Sequence, residues 1–256
     1  MKAMDMTRIS SSPWGFRFMS LAEFSAEMRK LGITRICTMF GDSAKLPLAI
    51  APSQKGVSAA KRTASDAGVE IMETAISLTD CARQIPLAAQ LGASYVRICE
   101  VWEDSPAEFE KVSENLRKAG RMAANCGRVL IVENHGGLMR TAESCGALLE
   151  KAGVENVKLN YDAANFLYYG EDPFKAWDAL KDIVGFTHLK NIKWKGGRLS
   201  YCRIKDGLID YSSLLGRFAK DGYKGILSLE YEEPADAVAG TKDDLASLEN
   251  SIPIRR

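Results

Sequence analysis

Apolar runs of strand length recur along the chain at a spacing of roughly 30 residues. Seven such runs cover residues 34–40, 69–76, 94–100, 128–134, 157–163, 184–190 and 225–231. A weaker run around Trp14–Met19 is the candidate for a further strand at the start of the chain. Near-continuous apolar runs of this length are typical of strands that are buried on both faces, as in parallel sheets. The pattern therefore predicts eight buried strands.

The segments between these runs carry apolar residues at helical spacing, as in 21–32, 107–127 and 211–225. Glycines follow several of them and are expected to end the helices. These glycines are Gly32, Gly92, Gly127, Gly153 and Gly222. Eight alternating strand and helix units predict an α/β protein with a closed (β/α)₈ barrel. An open doubly wound sheet is the alternative, but it usually has fewer strands, and the phosphate-binding GxGxxG turn is absent after the first strand.

The composition agrees with one globular unit. The chain has 256 residues, of which 46% are hydrophobic and 26% are charged, and no Pro/Gly/Ser-rich linker divides it. We therefore expect a single domain over residues 1–256. Because 34 basic and 33 acidic residues give a formal net charge of +1, no basic face is concentrated for a phosphate backbone, and nucleic acid is excluded as the expected partner.

Cysteine usage and hydropathy point to a protein of the cytoplasm. The 6 cysteines form no CxxC pair and no cluster, so we expect them to be reduced. The first residues lack the apolar core of a signal peptide, and no window approaches the roughly 20 apolar residues that a membrane span needs. The expected localisation is cytoplasmic, with no membrane partner.

Polar residues stand at the ends of four consecutive predicted strands. Glu133 ends the fifth strand, Asp162 the sixth, His188 the seventh and Glu230 the eighth. In a (β/α)₈ barrel, catalytic groups lie at the carboxyl ends of the strands, so these four side chains should converge. Charged groups inside apolar runs are costly to bury unless they are paired or coordinated. The sequence therefore predicts one divalent metal ion, with Mn²⁺ preferred and Mg²⁺, Co²⁺ or Zn²⁺ as alternatives.

The segments IVENHGG, VKLNYDAANF, FTHLKNIKW and GLIDYSSLLGRFAKDGYKGILSLEYE resemble the xylose-isomerase-like sugar phosphate isomerase/epimerase family of TIM barrels. The resemblance covers most of the chain and implies the same four metal ligands. It also implies that Glu133 and Glu230 form an acid/base pair that moves a proton beside a metal-bound carbonyl, through an enediolate. His135 is a further candidate for the general base.

The resemblance implies a sugar isomerase or epimerase acting on a small sugar or keto-sugar. The alternative is a lyase of the same superfamily, either a dehydratase acting on a keto-sugar, keto-inositol or dehydroshikimate, or an enzyme that cleaves 3-oxo-glycosides. The chain departs from the family in two places. Asn165 stands where many epimerases carry histidine, and His188-Leu-Lys-Asn191 replaces the common HxKD.

Further residues are expected to line the mouth of the barrel and contact substrate, and a homo-oligomer is compatible with the family. The expected substrate contacts are Trp14, Glu100, Asn165 and Lys190, with Lys190 also an alternative base. Phe16, Glu73 and Trp102 are weaker candidates, and for the aromatic residues ordinary core or subunit packing is the alternative explanation.

Overall fold

A computed structural model describes residues 6–98, 101 and 105–251. Its strands are β1 (Ile9–Ser11), β2 (Arg35–Met39), β3 (Glu70–Ile76), β4 (Tyr95–Ile98), β5 (Val129–Glu133), β6 (Val157–Asp162), β7 (Val184–Leu189), β8 (Asn191–Lys195), β9 (Arg198–Cys202) and β10 (Ile226–Leu229). Eight of them close into a barrel in which β10 lies between β7 and β1, and all neighbours in this barrel are parallel. The predicted (β/α)₈ barrel is confirmed.

Helices surround the barrel. They are α1 (Leu21–Lys30), α2 (Gln54–Ala67), α3 (Cys81–Leu91), α4 (Pro106–Asn125), α5 (Ala142–Ala152), α6 (Ala163–Tyr168), α7 (Pro173–Leu180), α8 (Tyr211–Lys220) and α9 (Ala237–Ser251). The five glycines predicted to end helices all have positive φ values between 62° and 100°, the backbone region that glycine adopts without steric cost. Within the described ranges, we find no helix with the length and apolarity that a membrane crossing requires.

The first strand was predicted in the wrong place. The strand is Ile9–Ser11, whereas Trp14–Phe16 forms a short 3₁₀ helix after it. The aromatic residues of that helix pack as core, since Phe16 is buried and its ring lies 4.8 Å from that of Phe24 in α1. Phe16 therefore does not line the mouth.

The barrel wall separates two apolar regions. Outside it, Tyr161 on β6 packs its ring edge-on against Trp177 of α7 and Phe218 of α8. Inside it, a smaller cluster fills one end and includes Cys37, Met72, Ile131, Phe186 and Ile226. Because side chains alternate along a strand, Asn160 and Asp162 on β6 point to the opposite side from Tyr161, into the barrel. The interior is thus apolar at one end and polar at the other.

An antiparallel hairpin, β8–β9, follows β7 and was not predicted. Its turn consists of Gly196 and Gly197, both with positive φ, as tight hairpin turns require. Asn191 anchors the base of the hairpin. Its Nδ2 donates to the carbonyls of Ile204 and Ile209 at 2.8 and 2.9 Å, and its Oδ1 accepts from the N–H of Ile209 at 3.1 Å. An aspartate has no hydrogen to donate, which gives a physical reason for asparagine here.

Asn191→Asp is expected to destabilise the protein by on the order of 3 kcal/mol, because it places a carboxylate against two carbonyl oxygens in a fully buried site. Urea unfolding followed by circular dichroism measures this loss. Asn125→Asp on the exposed end of α4 is the matched control, with an expected change within about 0.5 kcal/mol. Equal stabilities of the two variants would contradict the anchoring role.

Candidate metal centre

Four strand ends bring the predicted ligand residues together. Glu133, Asp162, His188 and Glu230 each offer one ligand atom, and these atoms lie within 4.8 Å of one another. All four residues are buried, with exposures between 0% and 6%. Asp162 lies level with His188 in the pairing of β6 with β7. The convergence expected from the strand-end pattern is therefore present in the fold.

Both glutamates have one oxygen held by the protein and the other turned towards the centre. Arg97 Nη1 donates to Glu133 Oε2 at 2.6 Å, and Ser12 Oγ donates to Glu230 Oε1 at 2.9 Å. The remaining oxygens, Glu133 Oε1 and Glu230 Oε2, lie 3.1 and 3.2 Å from His188 Nδ1. The hydrogen bonds to Glu133 Oε2 and Glu230 Oε1 restrict the rotamers of both glutamates. Each side chain therefore offers its other oxygen to a ligand.

Asp162 is held in the same way by backbone groups. As the N-cap of α6, it accepts the N–H groups of Ala164 and Asn165 on Oδ1, at 2.9 and 3.0 Å. Asn134 fixes its main chain, since Asn134 Oδ1 accepts the Asp162 N–H at 2.7 Å and Nδ2 donates to the Asp162 carbonyl at 2.8 Å. Oδ2 is the oxygen that remains for the centre.

The charges of the centre are strongly coupled. Burial disfavours the charged form of His188, but Glu230 and Glu133 outweigh it and raise the pKa of His188 to about 10. Burial raises the pKa of Asp162 to about 6, against the opposing effect of Lys190. Burial also works against ionisation of Glu133, but His188 and Arg97 lower its pKa to about 2. The protein alone thus keeps a proton on His188, which a metal ion would have to displace.

Lys190 lies beside the centre. Its Nζ is 3.1 Å from Asp162 Oδ2, 3.0 Å from Glu230 Oε2 and 2.8 Å from Glu232 Oε1. Its main chain is held by Tyr211, whose hydroxyl donates to the Lys190 carbonyl at 2.6 Å. Burial disfavours the ammonium form, but Asp162, Glu230 and Glu232 raise the pKa of Lys190 well above its usual value. Lys190 is therefore a charged hydrogen-bond donor at the edge of the centre.

A buried ion pair lies behind Glu133. Arg97 Nε donates to Glu73 Oε1 at 3.1 Å, and Glu73 is fully buried. Burial raises the pKa of Glu73, against the effect of Arg97. Glu73 is therefore part of the barrel interior, which does not support the expectation that it lines the mouth. Arg97 thus lies between two carboxylates, those of Glu73 and Glu133.

The donor set fits a divalent metal ion. Three carboxylate oxygens and one imidazole nitrogen face a common centre, and carboxylate oxygens suit Mg²⁺ or Mn²⁺ while imidazole also accepts Zn²⁺ or Co²⁺. Each carboxylate accepts a hydrogen bond on the oxygen that does not face the centre. Metal ligands are commonly oriented by such hydrogen bonds from neighbouring groups. Which ion binds, and whether all four residues ligate it, stays a prediction.

The other predicted site residues are spread around this centre. His135 is partly exposed and follows Glu133 by two residues. Asn165 is buried in the first turn of α6, and within the described ranges its Nδ2 has no hydrogen-bond partner. Trp14 is 44% exposed in the 3₁₀ helix after β1. Glu100 and Trp102 lie outside the described residues.

Three supporting residues were not predicted. Arg97 had a visible signal, because it is a basic residue inside the apolar run 94–100. Glu232 follows Glu230 closely, but nothing in the sequence indicated its contact with Lys190. Ser12 could not be found, since it is 218 residues away from Glu230 in the chain.

The model of the xylose isomerase-like TIM barrel family matches residues 11–251. An inosose dehydratase of Clostridium botulinum (strain Alaska E43 / Type E3) is 26% identical over 142 residues, which cover 49% of this chain and 48% of that protein. The chain thus spans about half the length of this curated relative.

Two solved structures share the fold. A xylose isomerase-like TIM barrel protein from Mycobacterium smegmatis in complex with magnesium has a TM-score of 0.79 and 18% identity, covering 98% of both chains. A probable 3-DHS dehydratase from Bacillus anthracis has a TM-score of 0.78 and 18% identity, covering 95% of this chain and 99% of the other. At this identity the likeness concerns the fold alone.

Proposed function

Because the chain belongs to the xylose isomerase-like TIM barrel family, we propose that it is a divalent-metal-dependent enzyme that removes a proton beside a carbonyl group of a sugar-like substrate. The convergence of Glu133, Asp162, His188 and Glu230 carries this proposal. We assign all four as ligands of one ion, with Mn²⁺ first and Mg²⁺, Co²⁺ or Zn²⁺ as alternatives. Such an ion would supply Lewis-acid polarisation of a carbonyl oxygen.

We assign the proton transfer to Glu133 and Glu230, with His135 as the alternative base. Glu133 ends β5 and Glu230 directly follows β10. Each turns one oxygen inward while the other is held by Arg97 or Ser12. Two carboxylates on separate strands would meet a substrate from different sides, as epimerisation requires, because a proton leaves one face of the carbon and another is added to the opposite face.

Lys190 and Asn165 are the proposed polar contacts to substrate, with Trp14 at the rim. Glu100 stays a sequence-based candidate, because it lies outside the described residues. The Lys190 ammonium group is buried against Asp162, Glu230 and Glu232. Asn165 Nδ2 has no hydrogen-bond partner in the described part of the chain and can donate to a substrate oxygen. Trp14 belongs to a segment that packs on the main chain next to Glu230, since a Cβ on Gly15 would collide with the Tyr231 carbonyl. Aromatic faces suit the C–H surface of a sugar.

Loss of water is the outcome that we favour after proton removal. A C–H bond and the C–O bond of the neighbouring carbon break, a C=C bond forms, and the departing hydroxyl takes a proton and leaves as water. Lys190 is a charged donor beside the centre, and the curated relative is named a dehydratase. Isomerisation or epimerisation is the second candidate, because the two inward-facing glutamates also fit return of the proton to carbon.

The experiment is a screen of keto-inositols, ketoses and 3-oxo-glycosides with Mn²⁺-loaded or Mg²⁺-loaded protein in H₂O and D₂O, read by mass spectrometry. Elimination is expected to lower the product mass by one water, or by the released alcohol when a 3-oxo-glycoside is cleaved. An unchanged mass with deuterium on carbon would instead identify an isomerase or epimerase. If no substrate exchanged a carbon-bound proton, the proposal would fail.

A further inference from the structure

The cations of the site are already matched by carboxylates. Once His188 has given up its proton to bind a metal ion, Arg97 and Lys190 are the buried cations among residues 6–98, 101 and 105–251, with exposures of 6% and 5%. Arg97 lies between Glu73 and Glu133, at 3.1 and 2.6 Å. Lys190 contacts three carboxylates within 3.1 Å. Neither cation has a positive charge left to balance an anionic substrate.

The mouth has an excess of negative charge even with a metal ion bound. Glu133, Asp162, Glu230 and Glu232 bring four negative charges, whereas a divalent ion and Lys190 bring three positive charges, and Arg97 is neutralised by Glu73. A phosphate or carboxylate placed next to this set would meet repulsion rather than a matching cation.

The usual phosphate cradle of this fold is replaced by acidic residues. In many (β/α)₈ barrels, the loops after the seventh and eighth strands and the N-terminus of a short helix hold a phosphate group. Here the short helix after β10 is Pro234–Asp236, and Glu232 and Glu233 precede it. Proline has no N–H to donate, and the glutamates repel an anion. These features oppose phosphate binding independently of the two buried cations.

Several cations on the described loops are held by other groups or lie on the hairpin. Arg203 is paired with Asp236 and Asp243. Arg17 lies over the rings of Trp14 and Phe18 and donates to the Trp14 carbonyl at 2.7 Å. Lys195 and Arg198 are exposed beside the hairpin turn.

We propose that the substrate is an uncharged polyhydroxylated ketone, and that sugar phosphates and keto acids are disfavoured by the charge of the site. The inference rests on the proposed function and narrows its substrate class. Specificity arises here from the repulsion of the wrong ligand as well as from contacts to the right one.

The test compares matched neutral and anionic ligands by isothermal titration on Mg²⁺-loaded protein. The pairs are a keto-inositol with dehydroshikimate, and a ketohexose with its phosphate ester. We expect each neutral ligand to bind at least about tenfold more tightly than its anionic partner, with a smaller gap at high salt because exposed charges are screened. An anionic ligand that bound as tightly as its neutral partner would overturn the proposal. Failure of both neutral ligands to bind would also count against it.

A charge reversal provides a second readout. Glu233→Lys changes an exposed residue just before the short helix, and we expect it to strengthen binding of the phosphate ester severalfold while leaving the neutral ketohexose unchanged. Glu155→Lys is the matched control, because Glu155 is exposed just before β6 and so at the opposite end of the barrel. Equal effects of the two variants would contradict a local charge effect at the mouth.

Proton exchange separates this inference from the proposed function. Exchange of the carbon-bound proton of an anionic ligand but of neither neutral one would overturn the substrate class and support the proposed chemistry. Tight binding of the neutral ligands without exchange would support the charge inference and contradict the proposed chemistry.

Discussion

Replacing Glu230 or Glu133 with glutamine is expected to slow turnover by about 10²–10⁴-fold while the barrel stays folded. Glutamine has nearly the same shape and keeps a neutral oxygen ligand, but it removes the carboxylate that accepts a proton. The hydrogen-bond donor that holds the carboxylate differs between residue 230 and residue 133. Ser12 can still donate to an amide oxygen at residue 230, whereas Arg97 loses the charge of its partner at residue 133. We therefore expect the larger loss of stability in Glu133→Gln.

The deciding measurement is exchange of the carbon-bound proton in D₂O, made on each metal-loaded variant, with Glu155→Gln as an exposed glutamate control. Both active-site variants should lose exchange together with turnover. If one of them exchanged the proton at the wild-type rate, its glutamate would be a ligand only. The base would then have to be sought at His135 or Lys190.

Substitution of the two histidines of the chain is expected to have different effects. His188→Ala removes an imidazole whose Nδ1 faces two carboxylates at 3.1 and 3.2 Å, so metal affinity should fall by about 10²-fold or more. His135→Ala removes a partly exposed ring next to the centre. It should retain the metal and lose turnover by about 10²-fold or more.

Metal content after dialysis, measured with turnover on the same samples, separates the two roles. Each variant is the control for the other, because both remove one imidazole from the same part of the barrel. Equal loss of metal in both variants would refute the division of roles. Full turnover in His135→Ala would remove that residue from the proton transfer.

The barrel was predictable because its strands are buried on both faces. Runs such as 128–134 and 157–163 contain mostly apolar residues, so their periodicity marks β5 and β6 within a residue of their observed bounds. The first strand escaped because Ile9–Ser11 is short and contains two serines. Ser10 faces the barrel interior, where its Oγ lies 3.6 Å from Cys37 Sγ. Burial of hydroxyl groups leaves no apolar pattern to detect.

The hairpin could have been predicted, whereas the supports of the metal centre could not. Gly196-Gly197 between two β-rich segments is a recognised hairpin signal. In contrast, the contacts of Arg97 with Glu133 and of Glu232 with Lys190 join elements that are 36 and 42 residues apart in sequence. Strand ends predict which side chains share one end of the barrel, but not which oxygen of a carboxylate is held and which is left for a ligand.

The central claim is that Glu133, Asp162, His188 and Glu230 hold one divalent ion, and a calorimetric titration of chelator-treated protein with Mn²⁺ tests it most directly. We predict about one ion per chain, bound more weakly at lower pH because Glu230 and Glu133 raise the pKa of His188 to about 10 and a proton must leave before the imidazole can ligate. Asp162→Asn should weaken binding strongly. Absence of stoichiometric binding, or binding that Asp162→Asn leaves unchanged, would contradict the account.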